Sequence, residues 1–132
     1  MATVRLDQKS RALTRAIPNT FDRALANFFG SGPTDIELAK QQHRAYRQAM
    51  LDEGIEVTVL PSDAKHPDCT FVEDQAVVID GHVLLPVPGH PSRVNEQPPI
   101  AEVITRQLSG TKICRMHGDA RMLAARPPAR AP

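Results

Sequence analysis

The sequence predicts an α/β fold, and three observations carry that prediction. Stretches with helical spacing alternate with short β-branched runs. An Asp80-Gly81 pair sits between two such runs, the signature of a two-residue hairpin. Apolar residues make up 41% of the chain and aromatics only 4%, so aliphatic side chains must fill the core.

The elements follow in order. "RALTRAI" (11–17) alternates apolar and polar residues and is closed by Pro18, which predicts a strand. A Gly/Pro-rich loop follows, with a short helical turn expected around Phe21 to Phe28. Thr34 opens the clearest helix: in "TDIE" its hydroxyl can accept from the Glu37 N–H while Glu37 reaches back, a capping box. Ile36, Ala39, His43, Tyr46, Ala49 and Met50 recur at helical spacing and form its predicted apolar face, and Gly54 suits the left-handed position past its end. "IEVTVL" (55–60) predicts a strand. "TFVEDQAVVID" (70–80) predicts another, with its apolar half buried on both sides, and "HVLLPV" (82–87) is its hairpin partner. "PGHPSRVNEQPP" reads as a loop. Pro99 then opens a helix, since a first-turn N–H lacks a partner anyway. Ile100, Val103, Ile104 and Leu108 are that helix's apolar face, Gly110 ends it, and "KICRM" (112–116) is a last strand in a mixed sheet.

The chain length of 132 residues fits one domain of ordinary size. Residues 120–132 contain five Ala, three Arg and three Pro, a composition that cannot build a core face. The predicted division is a flexible start at 1–10, a folded part at 11–119 and a disordered tail at 120–132.

Charge and composition exclude several classes of function. Sixteen basic residues against fifteen acidic ones give a net charge of +1, which leaves no electrostatic footprint for nucleic acid or an acidic membrane. No apolar run has the length of a membrane span, and "MATVRLDQKS" has no apolar signal core. Cys69 and Cys114 are too few for a disulfide framework. The expectation is a soluble cytoplasmic protein.

The chemistry concentrates in "HPDCTFVEDQAVVIDG" (66–81), where Asp68, Glu73 and Asp74 flank Phe71. Three readings stand side by side. The acids can be solvated turn residues, as Asp68 after Pro67 suggests. They can bind a hard cation, although no loop has calcium-binding spacing and the five histidines show no paired ligand spacing. Of those histidines, His43 reads as a packing residue, and His66, His82, His90 and His117 as solvated. Or the acids can recognise an organic cation. Carboxylates match a guanidinium by charge-assisted forked hydrogen bonds, and an aromatic face adds cation–π attraction. Arg93 would then hold a ligand carboxylate through its planar fork. Cys114, inside a predicted strand, reads as buried and inert.

"PDCTFVEDQAVV" resembles the PDxxFVEDxAVV signature of dimethylargininases, the dimethylarginine dimethylaminohydrolases of the pentein, or guanidino-group-modifying, superfamily. "RALTRAIP", "DIELAKQQHRAYRQAMLDEGIEVTVLPSD" and "PVPGHPSR" extend the resemblance over about residues 11 to 116. It implies a partial pentein-like α/β propeller of about two ββαβ-type blades. It also implies substrate-binding roles. Asp74 would grip a guanidinium with Glu73 as its neighbour. Asp68 would receive the α-ammonium, Phe71 would line the slot, Arg93 would hold the carboxylate, and Leu25 would belong to the lid loop. Cys69 matches a cysteine of some members and is assigned no catalysis.

The family's nucleophilic Cys and general acid/base His lie in a second half that has no counterpart here. The resemblance therefore implies no catalytic residue in this chain, no cofactor and no metal. The expected ligand is a guanidino amino acid, methylated arginine or arginine, which the family hydrolyses to citrulline plus methylamine or dimethylamine. The expectation is a truncated, substrate-binding half of such a hydrolase, inactive alone. The alternative is a noncatalytic guanidino-ligand binder or assembly subunit that self-associates or needs a C-terminal partner half.

Overall fold

A computed structural model describes residues 10–25, 34–79, 81–108 and 110–121. The fold is α/β, and contacts divide it into two compact units, one up to Thr70 and one from Phe71 onward.

The first unit holds β1 (Arg11–Arg15), α1 (Ile36–Asp52) and β2 (Glu56–Leu60). The two strands pair in parallel, from Arg11 opposite Glu56 to Arg15 opposite Leu60. Parallel neighbours need a crossover, and α1 supplies it. The helix cap is Asp35, not Thr34: its carboxylate accepts the Leu38 N–H at 2.9 Å. An ionised oxygen at the positive end of the helix is a stronger cap than a hydroxyl. Glu37 does not reach back, and instead binds Lys40 Nζ at 2.7 Å. At the other end the Gly54 N–H donates to Leu51 O and the Ile55 N–H to Met50 O, a Schellman pair that requires the +77° φ of Gly54.

The inward stripe of α1 is rotated from the predicted one. Ile36, Ala39, Lys40, His43, Arg47 and Met50 are half-buried, whereas Tyr46 and Ala49 are exposed. His43 does pack: burial, followed by the charge of Arg47, lowers its pKa. The turn expected near Phe21 forms as a 3₁₀ segment, Phe21–Arg23. Ala26 to Phe28 lie outside the described residues, as do residues 1–9 and 122–132, on which the terminal expectations fall.

The second unit holds β3 (Val77–Ile79), β4 (His82–Leu85), α2 (Gln97–Gln107) and β5 (Lys112–Arg115). Its sheet is mixed, in the order β3-β4-β5, with β3 antiparallel and β5 parallel to β4. The pair Ile79 and His82 brackets a two-residue turn in which Gly81 has φ +74°; Asp80 itself lies outside the described residues. Val83 and Leu85 alternate inward from β4, and Ile100, Ala101, Val103 and Ile104 face inward from α2. These six form the apolar core of this unit, and each large side chain contributes about 1.5–3 kcal/mol.

Three expectations are corrected here. The strand predicted over 70–80 shrinks to Val77–Ile79, because Val72–Asp74 coil into a 3₁₀ turn. Its apolar end is not buried on both sides: Val78 is 57% and Ile79 67% exposed. The loop before α2 is also largely helical, with a 3₁₀ segment Pro91–Glu96 running straight into Gln97, so Pro98 and Pro99 sit inside the first turn rather than opening it.

Candidate functional site

The stretch singled out from the sequence runs through the boundary between the two units at Thr70 and Phe71.

In the first unit the loop after β2 is folded by Asp63. Its Oδ1 accepts the Lys65 N–H at 2.9 Å, and its Oδ2 lies 2.8 Å from His66 Nδ1. Its carbonyl accepts the His66 N–H at 3.0 Å, and the Cys69 thiol points at that same oxygen at 3.8 Å. The hydrogen bond from His66, then that from the Lys65 N–H, holds the Asp63 carboxyl below the ordinary carboxylate range. His66 is therefore paired rather than solvated, with a side chain only 14% exposed. Arg15, buried at the end of β1, donates from Nε to Pro61 O at 2.9 Å, and Thr70 Oγ1 donates to Arg15 O at 3.0 Å. These bonds tie the loop to the sheet. Asp68 is buried, and its Oδ1 accepts the Leu25 N–H at 2.9 Å. Leu25 and Asp68 are thus brought together, through the backbone of one and the carboxylate of the other. Cys69 is sealed at 0% exposure.

In the second unit the centre is Arg93. The 3₁₀ turn Val72–Asp74 turns Asp74 inward and leaves Glu73 exposed. Arg93 rises from the 3₁₀ segment before α2, capped by His90, whose Nδ1 accepts the Ser92 N–H at 3.3 Å. Arg93 Nη1 donates to Asp74 Oδ2 at 2.6 Å. Arg93 Nε and Nη2 both donate to Glu96 Oε2, at 2.9 and 2.8 Å, and Nη2 also reaches Phe71 O at 3.1 Å. The guanidinium carbon stands 6.0 Å from the centre of the Phe71 ring. Burial penalises this charge, but the hydrogen bonds to Glu96 and Asp74 outweigh the penalty and raise the Arg93 pKa.

Acids and an aromatic ring do gather around a guanidinium here, and that guanidinium is the protein's own. Phe71, Asp74 and Arg93 come together, whereas Glu73 makes no side-chain hydrogen bond or ion pair among the described residues. Sequence reasoning missed Glu96, which is 1% exposed. The available signal was the Arg93-x-x-Glu96 spacing, which places the pair on one side of a helical turn. It also missed Gln75, whose Nε2 donates to Glu96 Oε2 at 3.0 Å, and Gln97, whose Nε2 donates to Gln75 O and Pro86 O.

Cys114 is exposed, which corrects the expectation of a buried thiol: its strand, β5, has only Ile113 half-buried. His82, His90 and His117 are exposed. Among the described residues no group of three or more His, Cys, Asp or Glu side chains is placed to hold a metal ion, and no helix is long and apolar enough to cross a membrane.

No known family profile matches the chain. It is 34% identical over 79 residues to the N(G),N(G)-dimethylarginine dimethylaminohydrolase of Pseudomonas aeruginosa, covering 60% of this chain and 31% of the relative. Its fold superposes on a crystal structure of dimethylarginine dimethylaminohydrolase in adduct with S-methyl-L-thiocitrulline, with TM-score 0.79 and 26% identity, over 86% of this chain and 44% of that one. The Pseudomonas aeruginosa enzyme complexed with citrulline gives TM-score 0.76 and 28% identity, over 83% of this chain and 42% of that one. The chain thus spans less than half the length of these relatives. Over the part that the alignments cover, this chain is similar in sequence and in fold to dimethylarginine dimethylaminohydrolases.

Proposed function

We propose that this chain is the substrate-binding part of a dimethylargininase-like hydrolase and that its ligand is a guanidino amino acid, methylated arginine or arginine. One observation carries the reading: in the second unit Asp74, Glu96 and Phe71 already surround a guanidinium, that of Arg93. Two carboxylates against one cation leave a formal negative charge over, which favours a further cation. The similar solved structures support it, since they hold citrulline or S-methyl-L-thiocitrulline, amino acids with planar head groups close in shape to a guanidinium.

On this reading Asp74 grips the ligand guanidinium beside Glu73, and Phe71 lines its slot. Asp68 and Leu25 serve the ammonium end, and Arg93 serves the carboxylate. Each sheet is part of one propeller blade. The chain contributes orientation, which lowers the entropic barrier of the reaction, and no nucleophile. By itself it binds without hydrolysing, in the cytoplasm and in arginine metabolism. Calorimetry with L-arginine and dimethylarginine tests this, alongside an assay for released citrulline. Binding without turnover is expected, and Asp74→Asn should weaken it at least about tenfold by removing a charge-assisted bond. Unchanged affinity in that variant would sink the assignment of Asp74, and citrulline release would sink the claim of inactivity.

A second reading, an assembly subunit, is favoured by one observation. Val78 and Ile79 lie exposed on β3, an edge of the second sheet, and unpaired apolar edges invite pairing. Light scattering across a concentration series separates the two: a monomer throughout counts against assembly.

A further inference from the structure

Glu96 is the most constrained acid of the second unit. A single oxygen, Oε2, accepts from Arg93 Nε at 2.9 Å, Arg93 Nη2 at 2.8 Å and Gln75 Nε2 at 3.0 Å, on a side chain 1% exposed. The Gln75 amide can face it one way only, because its oxygen turned toward the carboxylate would repel it. That Gln75 oxygen, Oε1, is itself buried and has no partner among the described residues, so the Gln75 side chain is committed to Glu96 at a cost.

Pinning Nε and Nη2 together removes rotation about the end of the Arg93 side chain. The third nitrogen, Nη1, is left pointing at Asp74 Oδ2, 2.6 Å away. From this geometry we infer that Glu96 is a positioning residue: it fixes Arg93 and, through Arg93, the carboxylate of Asp74. The inference rests on the ligand reading proposed above, in which Arg93 and Asp74 meet the ligand while Glu96 does not touch it. It adds that the placement of both groups is set by an acid three residues beyond Arg93, held in turn by Gln75.

The test uses the whole chain labelled with 15N. Hydrogen exchange at Arg93 Nε–H is followed by NMR in the wild type and in Glu96→Gln, which keeps the size of the side chain and loses its charge. The wild-type proton should be protected, and exchange should speed up about tenfold in the variant, the effect of losing a charge-assisted bond. Unchanged exchange overturns the inference, whether or not the chain binds a ligand. Calorimetry with L-arginine gives the second arm. Glu96→Gln should weaken binding about tenfold, and adding it to Arg93→Lys should cost nothing further, because Glu96 acts through Arg93. Losses that add overturn the inference. If the wild type binds no arginine while the Nε–H signal responds as expected, the ligand reading falls and the Glu96–Arg93 relay stands on the exchange data. Should Glu96→Gln fail to fold by circular dichroism, Gln75→Met removes one of the three bonds to Oε2. Exchange there should speed up by a smaller factor, about threefold, and no change overturns the inference.

Discussion

The loop around Asp63 and the cluster around Arg93 use acids in opposite ways. In the first, each carboxylate accepts from backbone: Asp63 from the Lys65 N–H, beside His66 and 3.8 Å from the Arg15 guanidinium, and Asp68 from the N–H of Leu25, 43 residues earlier. The acids there shape the path of the chain. In the second, Asp74 and Glu96 converge on one buried cation from positions 19 and 3 residues away. The acids there are organised by a charge rather than by a turn. An acid-rich segment can therefore serve two devices in structure, one that fastens backbone and, at Asp63, titrates with the fold, the other held by a group that stays protonated.

Removing Arg93 should break the comparison most severely. In Arg93→Met, Glu96 stays 1% exposed without its counter-ion, and the expected loss is about 3–5 kcal/mol in urea unfolding. A loss as small as that of a surface substitution would mean that the cluster is not organised around the cation.

Asp63→Asn comes next, at roughly 2 kcal/mol near neutral pH. Because the folded pKa of Asp63 is lowered, its carboxylate stabilises the fold above the unfolded pKa, and that contribution is lost as pH falls through the folded value. The difference in stability between wild type and variant should therefore shrink below about pH 4. A constant difference down to pH 2 would remove Asp63 from the titratable class.

Asp35→Ala is the smallest step and sharpens the same contrast. Asp35 serves a single backbone N–H, and its loss should cost about 1 kcal/mol in thermal or urea unfolding. A cost equal to that of Arg93→Met would erase the distinction between local and convergent acids.

Much of this was legible in the sequence. The alternation in β1, the β-branched run of β2, the Asp80-Gly81 turn signal before β4 and the 3.6-residue spacing of α1 and α2 gave the order of elements, because periodic burial leaves a periodic pattern. What failed was short or one residue out of phase. A 3₁₀ turn such as Val72–Asp74 has no room for a repeat, so "FVED" read as strand. Thr34 and Asp35 are neighbouring cap formers, so the start of the helix moves by one residue from one to the other without changing its spacing pattern. Phe71, Asp74 and Arg93 read in the sequence as parts of one recognition set; in the structure the first two lie against the guanidinium of the third. That Arg93 fills the cradle was invisible, because Glu96 sits in "NEQPP", which reads as loop, and pairing across a fold leaves no mark in spacing.

The two thiols, one sealed in the first unit and one open in the second, make the molecule its own stopwatch. An uncharged thiol reagent in excess consumes Cys114 at once and sets the intrinsic rate. Cys69 reacts only during the moments when its loop lets go of β1. Where the two thiols share one intrinsic reactivity, the ratio of the two rates is the fraction of time that this loop spends detached, and it can be followed at fixed pH with ligand added and no new label introduced.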